Sequence, residues 1–236
     1  MKEGESFSKN KIKLRFNGQR AQNTIIVTSI YWVIYVYYVI TSYFNYDPSF
    51  DMKIAPLIDI HIKWSETFSY IQLSLEITQS IVFMQWFRRA YYNLHRNVDN
   101  LAYTDGWAVA GWLIPIINLY RPFVITKELY IETERILEEK YSITFKKTNI
   151  TVLIIWWIIN VFSNITAWLI IFSVFFMNNK EGIGIYYKLA SINHILFIIV
   201  TLIHLKIVKN YSDMENLWKK FEDKKQTDEY DLDENE

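Results

Sequence analysis

In the first long apolar run of the chain, Thr24, Thr28, Tyr31, Tyr35, Tyr38 and Ser42 follow one another at steps of 4, 3, 4, 3 and 4. That period places six hydroxyls on one helical face and marks the seam of a left-handed helix packing. Three further apolar runs carry polar residues at helical spacing. Ser69, Gln72, Glu76, Gln79 and Ser80 share one face of residues 67–87. Asn160, Ser163 and Asn164 cluster within residues 150–177, and Ser191, His194, Thr201 and His204 occupy less than half the circumference of residues 189–208. A hydrocarbon core of ~30 Å is crossed by about 20 helical residues, and runs of roughly 17 to 25 qualify. The four runs, residues 24–44, 67–87, 150–177 and 189–208, are therefore expected to span a bilayer. Their polar faces should turn inward, because lipid does not solvate them.

The stretch between the second and third runs reads differently. Residues 106–121 are too short for a span, contain Pro115 and end against Arg121 and Pro122, so a re-entrant or interfacial segment is expected. Residues 122–141 are amphipathic, with Glu128, Glu132, Arg135 and Glu139 along one row and Phe123, Tyr130 and Leu137 on the other side. This helix is expected along the cytoplasmic surface, covering the inner ends of the spans or docking a soluble partner. After the last span, residues 206–225 read as a basic helix and the acidic end as disordered. The expected fold is all-α: an integral membrane bundle of four transmembrane helices, with a short re-entrant or interfacial segment and a cytoplasmic amphipathic helix.

Composition sharpens the partition. Hydrophobic residues make up 51% of the chain and charged residues 21%, yet among the apolar runs charge appears only at Glu76 and at Lys206 near the end of the last. A carboxyl near mid-membrane costs ~2.5 kcal/mol or more and faces a cavity or a partner; a protonated Glu76 bonded to His194 or His204 fits that requirement. The stripes serve either as interhelical hydrogen bonds or as the lining of a hydrated path. Net charge is zero, but residues 1–20 hold six Lys/Arg against two acids, and residues 227–236 hold six acids and no base. Lys and Arg concentrate on the cytoplasmic side of membrane proteins. Residues 1–20 and 209–236 are accordingly expected inside with Arg88, Arg89 and Arg96, flanking a membrane domain of residues 21–208; residues 45–66 and 178–188 are expected outside. The first run is expected to remain as an anchor rather than be cleaved.

The chain has no cysteine, which excludes disulfides, thiolate nucleophiles and cysteine metal sites. It has no His-Glu-x-x-His pair, glycine-rich phosphate loop or nucleophile elbow. The residues thus suggest no catalysis, metal or cofactor, and the basic residues are accounted for by membrane flanks rather than a nucleic-acid surface. Arg88, Arg89, Arg96 and Arg121 suit either topological anchoring or contact with lipid phosphates.

Two motifs carry a family resemblance. The run Trp86-Phe87-Arg88-Arg89-Ala90-Tyr91-Tyr92-Asn93-Leu94 and the run from Gly106 and Trp107 through Trp112, Pro115, Asn118 and Tyr120 to Arg121-Pro122 together resemble the bacterial membrane family catalogued as domain of unknown function 4328. The resemblance covers the centre of the chain and implies a multipass fold without an assigned activity. It marks Trp86, Arg89, Ala90, Asn93, Trp107, Trp112, Pro115, Asn118, Arg121 and Pro122 as its signature; this chain has Arg88 where the family commonly has an aromatic residue. A physical account places Trp86, Trp107 and Trp112 at the membrane interface. Arg89, Asn93 and Asn118 then serve as a clasp holding the re-entrant piece against the second span, with Gly106 and Gly111 allowing close approach. The expected function is a noncatalytic, channel-like or membrane-effector module of the bacterial cytoplasmic membrane, in contact with lipids and forming a homo-oligomer. A scaffold or sensor for a soluble partner and an intramembrane lipid enzyme are the alternatives.

Overall fold

The computed structural model describes residues 14–44, 63, 65–143, 147–176 and 180–233. Six α-helices account for most of them: α1 (Gly18–Phe44), α2 (Ser65–His95), α3 (Trp107–Leu113), α4 (Arg121–Tyr141), α5 (Ile150–Phe176) and α6 (Lys180–Asp233), with a 3-10 turn at Ile117–Leu119. No strand occurs among the described residues.

Three helices contain runs long and apolar enough to cross a membrane: Gly18–Ile40, Ile150–Ser173 and Lys188–Thr227. The second expected span, residues 67–87, is helical within α2 but does not join them, because Gln72, Glu76 and Gln79 dilute its hydropathy. The third of these runs is about twice the length a ~30 Å core requires. After Lys188 it is free of charge only as far as Leu205, beyond which Lys206, Lys209, Asp213 and Glu215 follow.

Three boundaries differ from the sequence reading. The last helix, expected from residue 189, begins already at Lys180, and the acidic end expected to be disordered is helical as far as Asp233. Both follow from helix cooperativity, since an existing helix adds residues without a new nucleation cost. The segment 106–121 is two short pieces rather than one. Ile114 is extended at φ −97°, ψ 114°, as steric clash with a following proline ring demands, so Pro115 ends α3. The amphipathic helix begins with Pro122 in its first turn, where the missing N–H costs nothing. It stops at Ser142, whose left-handed φ of 53° lets its own N–H reach the Glu138 carbonyl and the Ile143 N–H reach the Leu137 carbonyl.

The chain divides into two compact units. The first comprises the described residues of Met1–Asn23, Phe83–Ile154 and Lys206–Glu236. Its core is aromatic: Trp86, Phe87 and Tyr91 of α2, Tyr130 of α4, and Tyr211 and Trp218 of α6 are fully buried. The Tyr211 ring meets Trp86 edge-on at 5.9 Å and Tyr130 at 5.6 Å, and Tyr130 Oη donates to the Ile207 carbonyl at 2.7 Å. Burying each such side chain contributes roughly 1.5–3 kcal/mol. Ile125, Leu129, Ile136 and Leu137 of α4 are also enclosed. Helix α4 is therefore a core element of this unit.

The second unit, Thr24–Val82 and Ile155–Leu205, is inside out by the standards of a water-soluble domain. Thr24, Thr28, Tyr31 and Tyr35 are buried, whereas Ile26, Ile30, Ile77, Phe162, Trp168, Phe172, Ile195 and Leu202 are exposed. An apolar surface of that extent is stable against lipid and not against water. The chain is a membrane protein on this ground together with its three long apolar helices.

Candidate functional site

In the second unit the hydroxyl seam of α1 meets polar groups of α2 and α6. Tyr35 Oη and His194 Nδ1 share a hydrogen bond of 2.6 Å, and the Tyr38 ring approaches the same imidazole. Gln72 hydrogen-bonds Tyr31, and Glu76 lies within electrostatic reach of both Tyr31 and Tyr35. A small cleft lined by Ile34, Tyr37, Tyr38, Phe68 and Gln72 adjoins them. The expected partnership of Glu76 with a histidine does not form. His194 pairs with Tyr35 instead, and the His204 ring lies against Trp156 at 5.9 Å. Glu76 is exposed, as are Ser69, Ser74 and Thr78, while Gln72, Gln79 and Ser80 are half-buried.

Asn160 and Asn164 donate within their own helix, to the Trp156 and Asn160 carbonyls. The amide that joins α5 to α6 is Asn193, whose Oδ1 accepts from Ser163 Oγ at 2.9 Å and Thr166 Oγ1 at 2.8 Å. Sequence reasoning passed over Asn193 in favour of its neighbour His194, although an amide in an apolar run was itself the signal.

The densest polar site of the first unit centres on Glu215, a buried carboxylate on α6. Asn93 Nδ2 donates to Oε1 at 2.8 Å, and Asn17 Nδ2 donates to Oε2 at 2.8 Å. Asn93 also pairs with the Arg15 backbone in both directions, donating to its carbonyl at 2.9 Å and accepting from its N–H at 3.1 Å. Asn17 Nδ2 reaches the Trp86 carbonyl at 3.3 Å as well. One carboxylate therefore fastens the segment before α1, the signature face of α2 and the start of the polar half of α6. Burial pushes the Glu215 carboxyl up to about 7, outweighing the Asn17 and Asn93 hydrogen bonds and the Arg89 charge, which favour the ionised form. Trp86, Ala90 and Asn93 share one helical face. Ala90 is fully buried on that face.

This site corrects the expected clasp. Asn93 is a clasp residue, but it holds residues 15–17 and α6, not the piece at 106–121. Among the described residues the Asn118 side-chain oxygen has no hydrogen-bond partner, and Arg89 lies over the Tyr92 ring. Trp86 is core rather than interfacial. Trp112 stands edge-on to Phe83 and Phe87, and Trp107 is capped by the Arg121 guanidinium at 3.5 Å. Gly111 abuts Arg121 and Pro122, whereas a side chain at Gly106 would meet open space. Past Trp112 the chain exposes Leu113, Ile114, Ile116, Leu119 and Tyr120, with Pro115 exposed among them.

Sequence reasoning missed Glu215 and Asn17. A signal was present: Val208, Tyr211, Glu215, Trp218 and Glu222 recur at steps of 3, 4, 3 and 4, and all five are buried. Glu222 is held in the same way, by Lys140 Nζ at 2.7 Å and by the Tyr141 hydroxyl. Among the described residues no three His, Asp or Glu side chains converge on a point that could hold a metal ion.

Comparison with curated proteins and with solved structures returns no match. Of the residues that build the Glu215 site, Trp86, Arg89 and Asn93 lie in a segment that does match, whereas Arg15, Asn17 and Glu215 lie outside it: a family model covers residues 57–213, and the chain belongs to the family described as Domain of unknown function (DUF4328).

Proposed function

We propose that this protein is a noncatalytic, channel-like module of the bacterial cytoplasmic membrane, in which α2 supplies a fourth span and copies assemble around its polar face. The observation that carries this reading is the exposure of Glu76 together with Ser69, Ser74 and Thr78 on a stretch of helix that also exposes the apolar Ile71, Leu73, Ile77 and Ile81. Ser74 and Thr78 satisfy their hydroxyls on carbonyls one turn back, so lipid tolerates them. A carboxyl against lipid has no such remedy and costs ~2.5 kcal/mol or more. Water in a path between copies, or a second copy, removes that cost. In this arrangement the exposed Leu113–Tyr120 tip dips into the interfacial layer and both termini are cytoplasmic.

Flux of protons and monovalent cations through the purified full chain in liposomes tests the reading. Glu76→Gln keeps size and hydrogen bonding while removing the ionisable group, so it should change flux severalfold and leave the melting temperature unaltered. Unchanged flux in that variant, together with a raised melting temperature in Glu76→Leu, would place the residue against lipid and end the proposal. The topology has its own test, simplified by the absence of native cysteine. An impermeant thiol reagent applied to intact cells should leave Glu139→Cys unlabelled, and labelling from outside would reverse the proposed orientation.

A further inference from the structure

Three guanidinium groups converge on one tyrosine of the first unit. The Arg15, Arg96 and Arg89 guanidinium carbons stand 4.6, 5.6 and 5.9 Å from the centre of the Tyr92 ring. They come from three places in the chain: the segment before α1, the residue after α2, and α2 itself. Arg88 and Arg20 add charge nearby, since both act electrostatically on Arg89. Arg88 meets Asp105 at 3.6 Å, and Arg89 feels Glu215. Among the described residues, neither Arg15 nor Arg96 has an acidic partner, and both are exposed. Like charges this close repel, and the ring face offsets only part of that repulsion. Burial, then the charges of Arg20 and Arg15, weaken the hold of Arg89 on its proton, the electrostatic mark of a cluster short of anions.

We propose that Arg15, Arg89 and Arg96, gathered on Tyr92, bind the phosphate of an anionic glycerophospholipid headgroup. Guanidinium groups present paired N–H donors that match phosphate oxygens, and the aromatic face fixes their planes. The membrane is the source of phosphate favoured by position in the chain, since Arg15 immediately precedes the apolar run Gly18–Ile40 and basic residues flanking a span lie at headgroup level. Arg121, grouped with these arginines on sequence grounds, is occupied elsewhere, on Trp107 and Tyr103.

The full chain in nonionic detergent, titrated with dioleoyl phosphatidylglycerol and followed by native mass spectrometry, provides the test. Arg15→Gln with Arg96→Gln should weaken binding about 25-fold, at about fivefold per arginine. Arg96→Gln alone, at an exposed side chain, should lose about fivefold and guards against misfolding of the double variant. Lys209→Gln with Lys220→Gln removes the same charge from exposed positions outside the cluster and should leave binding unchanged. Dioleoyl phosphatidylcholine should bind more weakly than phosphatidylglycerol. Wild-type affinity in the arginine variants, or an equal loss in the lysine pair, would overturn the site. Displacement of the lipid by equimolar inorganic phosphate would reassign it to a free anion, and displacement by a short oligonucleotide would reassign it to nucleic acid; either result refutes the lipid assignment.

Discussion

Asn93→Leu should lower the stability of the protein by about 3 kcal/mol, because it strips hydrogen bonds from the buried Glu215 carboxyl and from the part-buried Arg15 backbone. One side chain is lost, yet three partners are orphaned: Glu215 Oε1, the Arg15 carbonyl and the Arg15 N–H. A buried carboxylate deprived of a donor is the costliest of these. The melting temperature of the purified protein should fall by roughly 6–12 °C. Asn118→Leu is the contrast, since its side-chain oxygen already lacks a partner, and it should change the melting temperature little. A loss at Asn118 matching that at Asn93 would restore the clasp expected from sequence and displace the one built on Glu215.

Stability should also fall as pH rises from about 4.5 to about 7, and Glu215→Gln should flatten that dependence. The folded protein holds a proton on Glu215 up to about 7, whereas the unfolded carboxyl releases it near 4.5. Within that window the native state binds more protons than the unfolded state, so raising the pH favours unfolding; below it and above it this group contributes no slope. The full difference is of order 3 kcal/mol, at 1.36 kcal/mol per unit of separation. Glutamine never ionises. Its extra N–H₂ is accommodated if the Asn17 amide turns to present its oxygen, which now has no partner, in exchange for the long bond to the Trp86 carbonyl. Denaturation of wild type and variant at pH 5 and pH 8 measures the effect, and a wild-type protein as stable at pH 8 as at pH 5 would show that the two asparagines and Arg89 outweigh burial.

Helical faces were legible in the sequence; their partners were not. Spacing identified Thr24, Thr28, Tyr31 and Tyr35 as one seam, and the structure buries all four. Pro115 announced a break, and the extended Ile114 supplies it. Spacing does not say that Asn93 meets residues 78 and 122 positions away, because a helical period reports which side chains share a face and not what faces them. Glu215 stood in a heptad with Tyr211 and Trp218, but the lysines around it made the segment read as a solvated basic helix. The acidic end was misread for a related reason: charge pattern was weighed without the long helix upstream that carries it. Glu76 was found readily, as a carboxyl in an apolar run, while the surroundings that turn it outward depend on how α1 and α6 fill the seam.

Two contacts within that seam limit how it can move. Thr24 Oγ1 donates to the Val82 carbonyl at 3.1 Å, and Trp32 Nε1 donates to the Ile198 carbonyl at 3.3 Å. Both tie a side chain of α1 to the backbone of another helix. Equivalent carbonyls on a helix recur once per turn, ~5.4 Å apart, so the bonds act as detents. Axial creep of α1 along α2 or α6 by a fraction of a turn breaks both and finds no replacement. Rotation or tilt about the two contacts keeps them, so they restrain sliding of these helices along one another more than pivoting.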